Sequence, residues 1–124
     1  MSSNVRVLSD VAPQANVTVP AQTSIGATAA LVLIFNPMRK GFSIQNTGTT
    51  IIKLGFGSIP TQTVYHVALA ACTVADDGTG AAYFDDAYTG NVYAISSAGG
   101  GTFVLAEFTT GLLDFNQALD LGLP

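Results

Sequence analysis

Short segments in which apolar and polar residues alternate run through most of the chain, separated by Gly, Pro, Asn and Asp. Such alternation is typical of β-strands with one buried and one solvated face. The clearest example is residues 41–46, where Ser43 and Gln45 separate larger apolar side chains, and residues 52–56 repeat the pattern. The residues between them, 46–49, favour a turn. We therefore predict that these two segments form a β-hairpin.

Other strand-like segments extend the pattern along the chain. They are residues 5–8, 16–19, 30–35, 64–69, 83–84, 91–96 and 102–108. Residues 30–35 are continuously apolar, which predicts a strand covered on both faces. Residues 102–108 are apolar on both faces, so this strand is either central in a sandwich or half buried against another molecule. Roughly eight or nine short strands predict an all-β fold, a single jelly-roll-like β-sandwich.

The two ends of the chain differ from its middle. We predict an N-terminal arm and edge strand over residues 1–25, a sandwich core over 26–109 and a C-terminal tail over 110–124. In the tail, leucine and phenylalanine recur at about helical spacing, so it is either a short amphipathic helix or an extended segment. A helix this short needs a surface to lie on.

Charged residues are scarce. Four Lys or Arg and eight Asp or Glu make up 10% of the 124 residues, with a formal net charge of −4, where an average domain of this length carries about 31 charged residues. The acidic balance argues against binding to nucleic-acid phosphates, and the longest apolar run, residues 27–35, is too short to cross a membrane. The N-terminal residues lack the layout of a secretion signal. So little surface charge predicts a subunit whose faces are covered by neighbours.

Few side chains can carry chemistry. His66 is the only histidine and Cys72 the only cysteine, too few for a zinc site or an activated nucleophile. The pairs at 76–77 and 85–86 are adjacent aspartates, which either hold calcium or form turns. Turn formation is favoured, because their spacing matches no EF-hand loop. The sequence therefore predicts a protein that is not an enzyme and has no cofactor.

Arg39 is the best single candidate for specific polar contacts. It precedes the predicted hairpin, and its guanidinium can bind carbonyl groups or a carboxylate through several donors at once. Two interpretations stay open at this point. Arg39 either braces its own turn or contacts a neighbouring subunit.

Three segments resemble small structural proteins of tailed bacteriophages. Residues 36–48 hold an Asn-x-x-Arg leader and a strand that ends in Gln-Asn-x-Gly, and residues 52–58 hold a Gly-Phe-Gly return. Residues 86–97 are similar to a strand with the pattern Tyr-x-Gly and then Tyr-Ala-Ile. The resemblance implies a virion component on a β-sandwich or jelly-roll scaffold, such as a capsid decoration or cement protein, a head-fibre base or a tail-tip module.

Together with the scarce charge, this resemblance implies a protein that decorates and stabilises a phage capsid from outside by bridging coat subunits. We expect it to be made in the host cytoplasm, to bind the major capsid protein and itself, as a homodimer or homotrimer, and to bind neither nucleic acid nor membrane. The residues expected at the partner interface are Val5, Val7, Leu8, Arg39, Leu112, Leu113, Phe115, Leu119 and Leu121. The alternative is a receptor- or glycan-binding module at a phage fibre or tail tip. Its expected ligand loop consists of Tyr83, Asp85, Asp86, Tyr88 and Asn91.

Overall fold

The computed structural model describes residues 15–110, which form two antiparallel β-sheets. The strands are β1 Ala15–Val17, β2 Ala21–Ile25, β3 Ala30–Leu33, β4 Arg39–Asn46, β5 Ile52–Phe56, β6 Val67–Leu69, β7 Ala82–Asp85, β8 Val92–Ser96 and β9 Gly101–Thr110. The predicted strand at 5–8 and the predicted helix of the tail lie outside the described residues. No helix between residues 15 and 110 is long and apolar enough to cross a membrane.

The strands divide between the two sheets in the order of a jelly roll. The first sheet runs β7, β4, β9, and both β1 and β2 pair with the remaining side of β9. The second sheet runs β3, β8, β5, β6. This is the strand order of a double sheet wrapped from two Greek keys, with β1 added at one edge. The prediction of an all-β, jelly-roll-like sandwich is confirmed.

The predicted hairpin of residues 41–46 and 52–56 is wrong. Both segments are strands, but β4 pairs with β7 and β9, whereas β5 pairs with β6 and β8 in the other sheet. The connection between them is an arch across the sandwich, because the apolar side chains of the two strands, such as Phe42 and Leu54, reach one core from opposite sides. Turn residues specify a change of direction and do not specify whether the flanking strands pair.

The side chain of Asn46 fixes this arch. It is completely buried, and its Nδ2 donates to the carbonyl oxygens of Thr50 at 2.7 Å and Leu69 at 3.0 Å. Its Oδ1 accepts from the N–H of Gly48 at 2.9 Å. Since buried polar groups need hydrogen-bond partners, these bonds allow an amide in the core. One side chain thereby links the first sheet, the arch and the second sheet.

The core lies between the two sheets. Its most deeply buried apolar side chains are Phe42, Ile44 and Phe103 from the first sheet and Ile52, Leu54, Leu69, Val92 and Ala94 from the second. Burial of one such large side chain contributes about 1.5–3 kcal/mol. The alternation in the sequence correctly predicted which side of β4 and β5 faces this core.

Strand β3 is an edge strand and not the doubly covered strand that its apolar run predicted. It pairs only with β8 among the described strands, with a register irregularity between Leu31 and Leu33. Leu33 reaches the core, but Leu31, Ile34 and Phe35 are exposed. The apolar run thus has a second side that no residue in 15–110 covers.

The connection between β5 and β6, residues 57–66, covers the middle of the outward side of the second sheet, whereas Leu31 and Ala68 on the outward sides of its two edge strands are exposed. This connection passes so close to Gly55 that a Cβ there would lie 2.9 Å from the ring of Pro60. Gln62 Nε2 donates to a backbone carbonyl oxygen of β8 at 2.8 Å. As a result, Ile95 is buried even though it lies on the outward side of β8.

Candidate functional site

Arg39 lies inside the domain, with its side chain fully buried. Its Nε donates to Glu107 Oε2 at 2.9 Å, and its Nη1 donates to the carbonyl oxygens of Gly90 at 2.9 Å and Tyr88 at 3.2 Å. Its Nη2 donates to the carbonyl oxygen of Ile34. The planar fork of donors suits several acceptors at once. The guanidinium therefore braces its own domain, and it is not at a surface where a neighbouring subunit would reach it.

Asp85 organises the loop that follows β7. Its Oδ1 accepts from the N–H groups of Ala87 at 2.8 Å and Tyr88 at 2.7 Å, and its Oδ2 accepts from the hydroxyl of Tyr83 at 3.0 Å. Burial alone raises the pKa of Asp85, but these hydrogen bonds and the charge of Arg39 outweigh it and hold the pKa below the usual value of a carboxyl group. Burial, together with the bond to this carboxylate, raises the pKa of Tyr83.

We expect part of the loss of stability in acid to come from Asp85. A carboxyl group whose pKa is lower in the folded protein than in the unfolded chain, near 3.8, stabilises the fold above that value. The contribution is lost as the pH falls through the folded value. In Asp85→Asn, the free energy of unfolding, measured by urea denaturation from about pH 6 to about pH 2, should therefore fall less steeply than in the wild type.

The acid dependence should not vanish in this variant. Asp77, which is exposed, accepts hydrogen bonds from the N–H and hydroxyl of Thr79, and these lower the pKa of Asp77. Protonation of Asp77 therefore also lowers the free energy of unfolding as the pH falls. If the free energy of unfolding fell with pH as steeply in Asp85→Asn as in the wild type, the result would contradict the role assigned to Asp85.

The other residues of the expected ligand loop lie at the same corner of the sandwich. The hydroxyl of Tyr88 donates to the carbonyl oxygen of Asn91 at 2.9 Å, and Asn91 Oδ1 accepts from a backbone N–H in the connection after β3 at 2.6 Å. The rings of Tyr83 and Tyr88 pack on Phe56 with centroid distances of 5.6 and 5.5 Å. Asp86 is exposed. The corner brings the predicted residues together, but its hydrogen-bonding atoms hold one end of the sandwich closed.

The remaining candidates for chemistry also have structural partners. His66 is exposed, and its Nδ1 accepts from a backbone N–H of β5 at 3.1 Å. Cys72 is buried, and its Sγ donates to the carbonyl oxygen of Asn46 at 3.3 Å. No three His, Cys, Asp or Glu side chains within residues 15–110 lie close enough together to hold a metal ion. The other interface residues expected from the sequence, Val5, Val7, Leu8, Leu112, Leu113, Phe115, Leu119 and Leu121, lie outside the described residues.

The outward side chains of the first sheet form a surface without charge, here called the outer face. It consists of Val17, Gln22, Ser24, Gly41, Ser43, Gln45, Ala82, Phe84, Thr102, Val104, Ala106 and Phe108. The strand register identifies these residues, because each alternates with residues that face the core. Lys40, in the register irregularity of β4, borders the outer face.

Apolar side chains cross the outer face from one edge to the other. Phe84 on β7 is 60% exposed, and its ring meets that of Phe108 edge to face at 6.0 Å. Val17, which pairs with Phe108 in the register, is also exposed. A shallow depression lined in part by Pro20 and Ala82 lies beside them. No residue in 15–110 covers this surface as the connection 57–66 covers the second sheet, and exposed aromatic surface without charge is typical of a protein contact.

Sequence reasoning missed Phe84 as a surface residue. The predicted strand at 83–84 was too short to show which of its two aromatic side chains faces outward. The register of β7 with β4 decides it, because Phe84 pairs with the outward Ser43 and Tyr83 with the buried Ile44. The two-sided apolar pattern of β9 was the available signal that the first sheet has an apolar outer face.

No protein-family model matches this chain, and no curated protein matches it. Among solved structures, it is similar to a chain from Bacillus endospore appendages, described as a novel family of disulfide-linked pili. The two are 18% identical over 80% of this chain and 90% of that chain, with a TM-score of 0.47.

The function predicted from the sequence is wrong by this comparison. The similar structure comes from a bacterial appendage and not from a phage capsid, and the fibre or tail-tip alternative shares the phage assignment. The disulfide linkage named for those pili is not carried over, because this chain has one cysteine and it is buried. The resemblance of residues 36–108 to phage structural proteins stays a prediction.

Proposed function

We propose that this chain is a non-enzymatic structural subunit that assembles with copies of itself through the outer face of the first sheet. The observation that carries the proposal is the contrast between the two sheets. The two central strands of the second sheet are covered by the chain's own residues 57–66, whereas the first sheet presents Phe84 and Val17 on a surface without charge.

The shape and chemistry of the outer face favour a protein as its partner. Small ligands bind in concave pockets with a few convergent polar groups, and this surface is a sheet face with one shallow depression. Nucleic acids require cationic side chains to neutralise phosphates, and the outward positions of these strands carry none. Apolar and aromatic side chains with uncharged polar neighbours match the core of a protein interface.

The absence of charge on the outer face permits a second copy as that partner. The chain has a formal net charge of −4, so two copies repel one another, and the repulsion is weakest where their contact brings no like charges together. Contact between two outer faces meets this condition, and a twofold arrangement would bury the same patch on both copies. The exposed ring of Phe84 then lies in the contact on each side.

The outer face is also large enough for a stable contact. Its strands hold 30 residues, four in β7, eight in β4, ten in β9 and eight in β1 and β2 together. At about 3.3 Å along and about 4.8 Å across the strands for each residue, they cover about 480 Å² in projection, and each partner in a standard interface buries ~800 Å² of accessible surface. Side chains that project from the sheet add to the planar value.

We expect Phe84→Glu to weaken self-association at least about tenfold, equivalent to about 1.4 kcal/mol. A carboxylate at this position would lose its hydration inside an apolar contact. Sedimentation equilibrium of the full chain measures the effect as a fall in the weight-average mass at a fixed concentration.

Ile59→Glu is the matched control for this test. Ile59 is 66% exposed, similar to Phe84, but it lies in the connection that covers the second sheet. The control adds the same charge and should leave self-association unchanged. Equal effects of the two substitutions, or no effect of Phe84→Glu, would overturn the proposed contact.

A further inference from the structure

The loop between β6 and β7 holds the single position in the chain where an aspartate is followed by a glycine. This pair is Asp77–Gly78, and none of the asparagines in the sequence is followed by a glycine. Both residues are exposed, so water reaches the pair in the folded protein.

An aspartate before a glycine reacts with its own main chain. The amide nitrogen of Gly78 attacks Cγ of Asp77, and the hydroxyl of the protonated carboxyl group leaves with the amide hydrogen as water, which closes a five-membered succinimide ring. Water then opens the ring. Opening at the side-chain carbonyl restores Asp77, and opening at the main-chain carbonyl gives isoaspartate, in which Cβ and Cγ belong to the main chain.

The residue that follows an aspartate decides how exposed the attacking nitrogen is. Glycine has no Cβ beside its nitrogen, whereas Asp76 is followed by an aspartate and Asp86 by an alanine. Asp77 is therefore the aspartate of this chain at which ring closure meets the least steric hindrance.

In the folded chain, three donors hold the carboxylate of Asp77. Its Oδ1 accepts from the N–H of Thr79 at 2.9 Å and from the hydroxyl of Thr79 at 2.6 Å, and its Oδ2 accepts from the N–H of Val74 at 2.9 Å. These bonds, that of the Thr79 hydroxyl above all, lower the pKa of Asp77. Because the oxygen leaves only from a protonated carboxyl group, they keep Asp77 in its unreactive form.

The hydroxyl of Thr79 has a second contact that closes the loop. While it donates to Asp77, it accepts from the N–H of Thr73 at 2.7 Å. Ring closure at Asp77 breaks bonds in this arrangement, because one carboxyl oxygen leaves as water. Loss of the hydroxyl therefore removes both a bond that favours the carboxylate and a link across the loop.

We propose that Asp77 is a site of spontaneous isomerisation to isoaspartate and that the hydroxyl of Thr79 restrains this reaction in the folded protein. Thr79 acts as a positioning residue, because it holds the carboxylate and takes no part in the bonds that form. The reaction consumes and releases only water, so it is independent of the proposed assembly.

The product changes the border of the outer face. Gln45 lies on that face, and its Nε2 donates to the carbonyl oxygens of Gly80 at 3.1 Å and Gly78 at 3.4 Å. Isoaspartate at position 77 adds one carbon atom to the main chain just before Gly78. The carbonyl group of Gly78 is then displaced from Gln45.

Storage of the full chain in a mildly acidic buffer, followed by peptide mapping with electron-transfer fragmentation, measures isoaspartate at position 77. Thr79→Ala should form it at least about threefold faster than the wild type, the effect of losing one hydrogen bond. Thr79→Ser keeps a hydroxyl group and should form it at the wild-type rate.

Thr61→Ala is the matched control for Thr79→Ala. The Oγ1 of Thr61 accepts from the N–H groups of Thr63 and Val64 in an exposed connection, so the same hydroxyl is lost from a similar turn elsewhere. This variant should leave the rate at Asp77 unchanged.

Unfolding of the wild type gives a second measurement that needs no variant. In concentrated urea all three bonds to the carboxylate are lost, so isoaspartate at position 77 should form at least about tenfold faster than in the folded chain. In the same sample, Asp77 should react faster than Asp86.

Three results would overturn the inference. The first is an equal rate at Asp77 in Thr79→Ala and the wild type, or in Thr79→Ala and Thr61→Ala. The second is a rate in Thr79→Ser as high as that in Thr79→Ala. The third is an equal rate in the folded and the unfolded wild type.

Discussion

Arg39→Met is expected to lower the free energy of unfolding by about 3–5 kcal/mol, the usual cost of removing one partner from a buried ion pair. The substitution leaves the Glu107 carboxylate, which is 15% exposed, without its cation. It also leaves the carbonyl oxygens of Tyr88 and Gly90 without the donors they have in the wild type. Equilibrium urea denaturation at neutral pH measures the change.

Two further variants separate this effect from a general loss of charge. Lys40→Met removes the adjacent cation, which is exposed, and should change the stability by no more than about 0.5 kcal/mol. Arg39→Lys keeps the charge but loses the planar fork, so its stability should fall between those of the wild type and Arg39→Met. A loss in Arg39→Met no greater than that in Lys40→Met would contradict the role of Arg39 as a brace.

Asn46→Ala is expected to destabilise the protein by a similar amount, about 3 kcal/mol or more. The variant leaves the N–H of Gly48 and the carbonyl oxygens of Thr50 and Leu69 without their partner, and each unsatisfied buried group costs about 1–3 kcal/mol. It also removes side-chain volume from a fully buried position. Urea denaturation measures the free energy, with Asn16→Ala as the control, because Asn16 is exposed on β1. Similar losses in the two variants would show that the amide does not hold the arch.

The strand pattern was readable from the sequence because burial on one face leaves a period of two. Residues 41–46, 52–56 and 102–108 are strands at nearly the predicted positions, and the larger apolar side chains of the first two face the core as predicted. The pairing was not readable, because the turn residues at 46–49 serve a hairpin and an arch equally well. The bonds from Asn46, in the first sheet, to the arch and to Leu69 in the second sheet distinguish the two, and they depend on tertiary contacts.

The site was harder to predict than the fold, for the same reason. Arg39 was singled out correctly as a residue with specific polar contacts, but its partner Glu107 lies 68 residues away in the sequence, and no local pattern connects them. The residues expected to form a ligand loop do come together, yet their hydrogen bonds are internal. The surface proposed for assembly emerged only when the register placed Phe84 and Phe108 on the same face.

The two-sided apolar pattern of β9 left two alternatives, a central strand or a strand half buried against another molecule. β9 is central, between β4 and the pair of β1 and β2. Its other side, with Val104 and Phe108, lies on the outer face that the described residues leave open. The proposed assembly corresponds to the second alternative. An apolar surface without charge, on a chain with 10% charged residues, favours association over exposure to water.

Sedimentation equilibrium of the wild-type chain over a wide range of concentrations tests the proposed self-assembly most directly. The account predicts a weight-average mass that rises with concentration above the 12.7 kDa of one chain, and a lower mass for Phe84→Glu than for Ile59→Glu at the same concentration. A mass of 12.7 kDa at every concentration would contradict it.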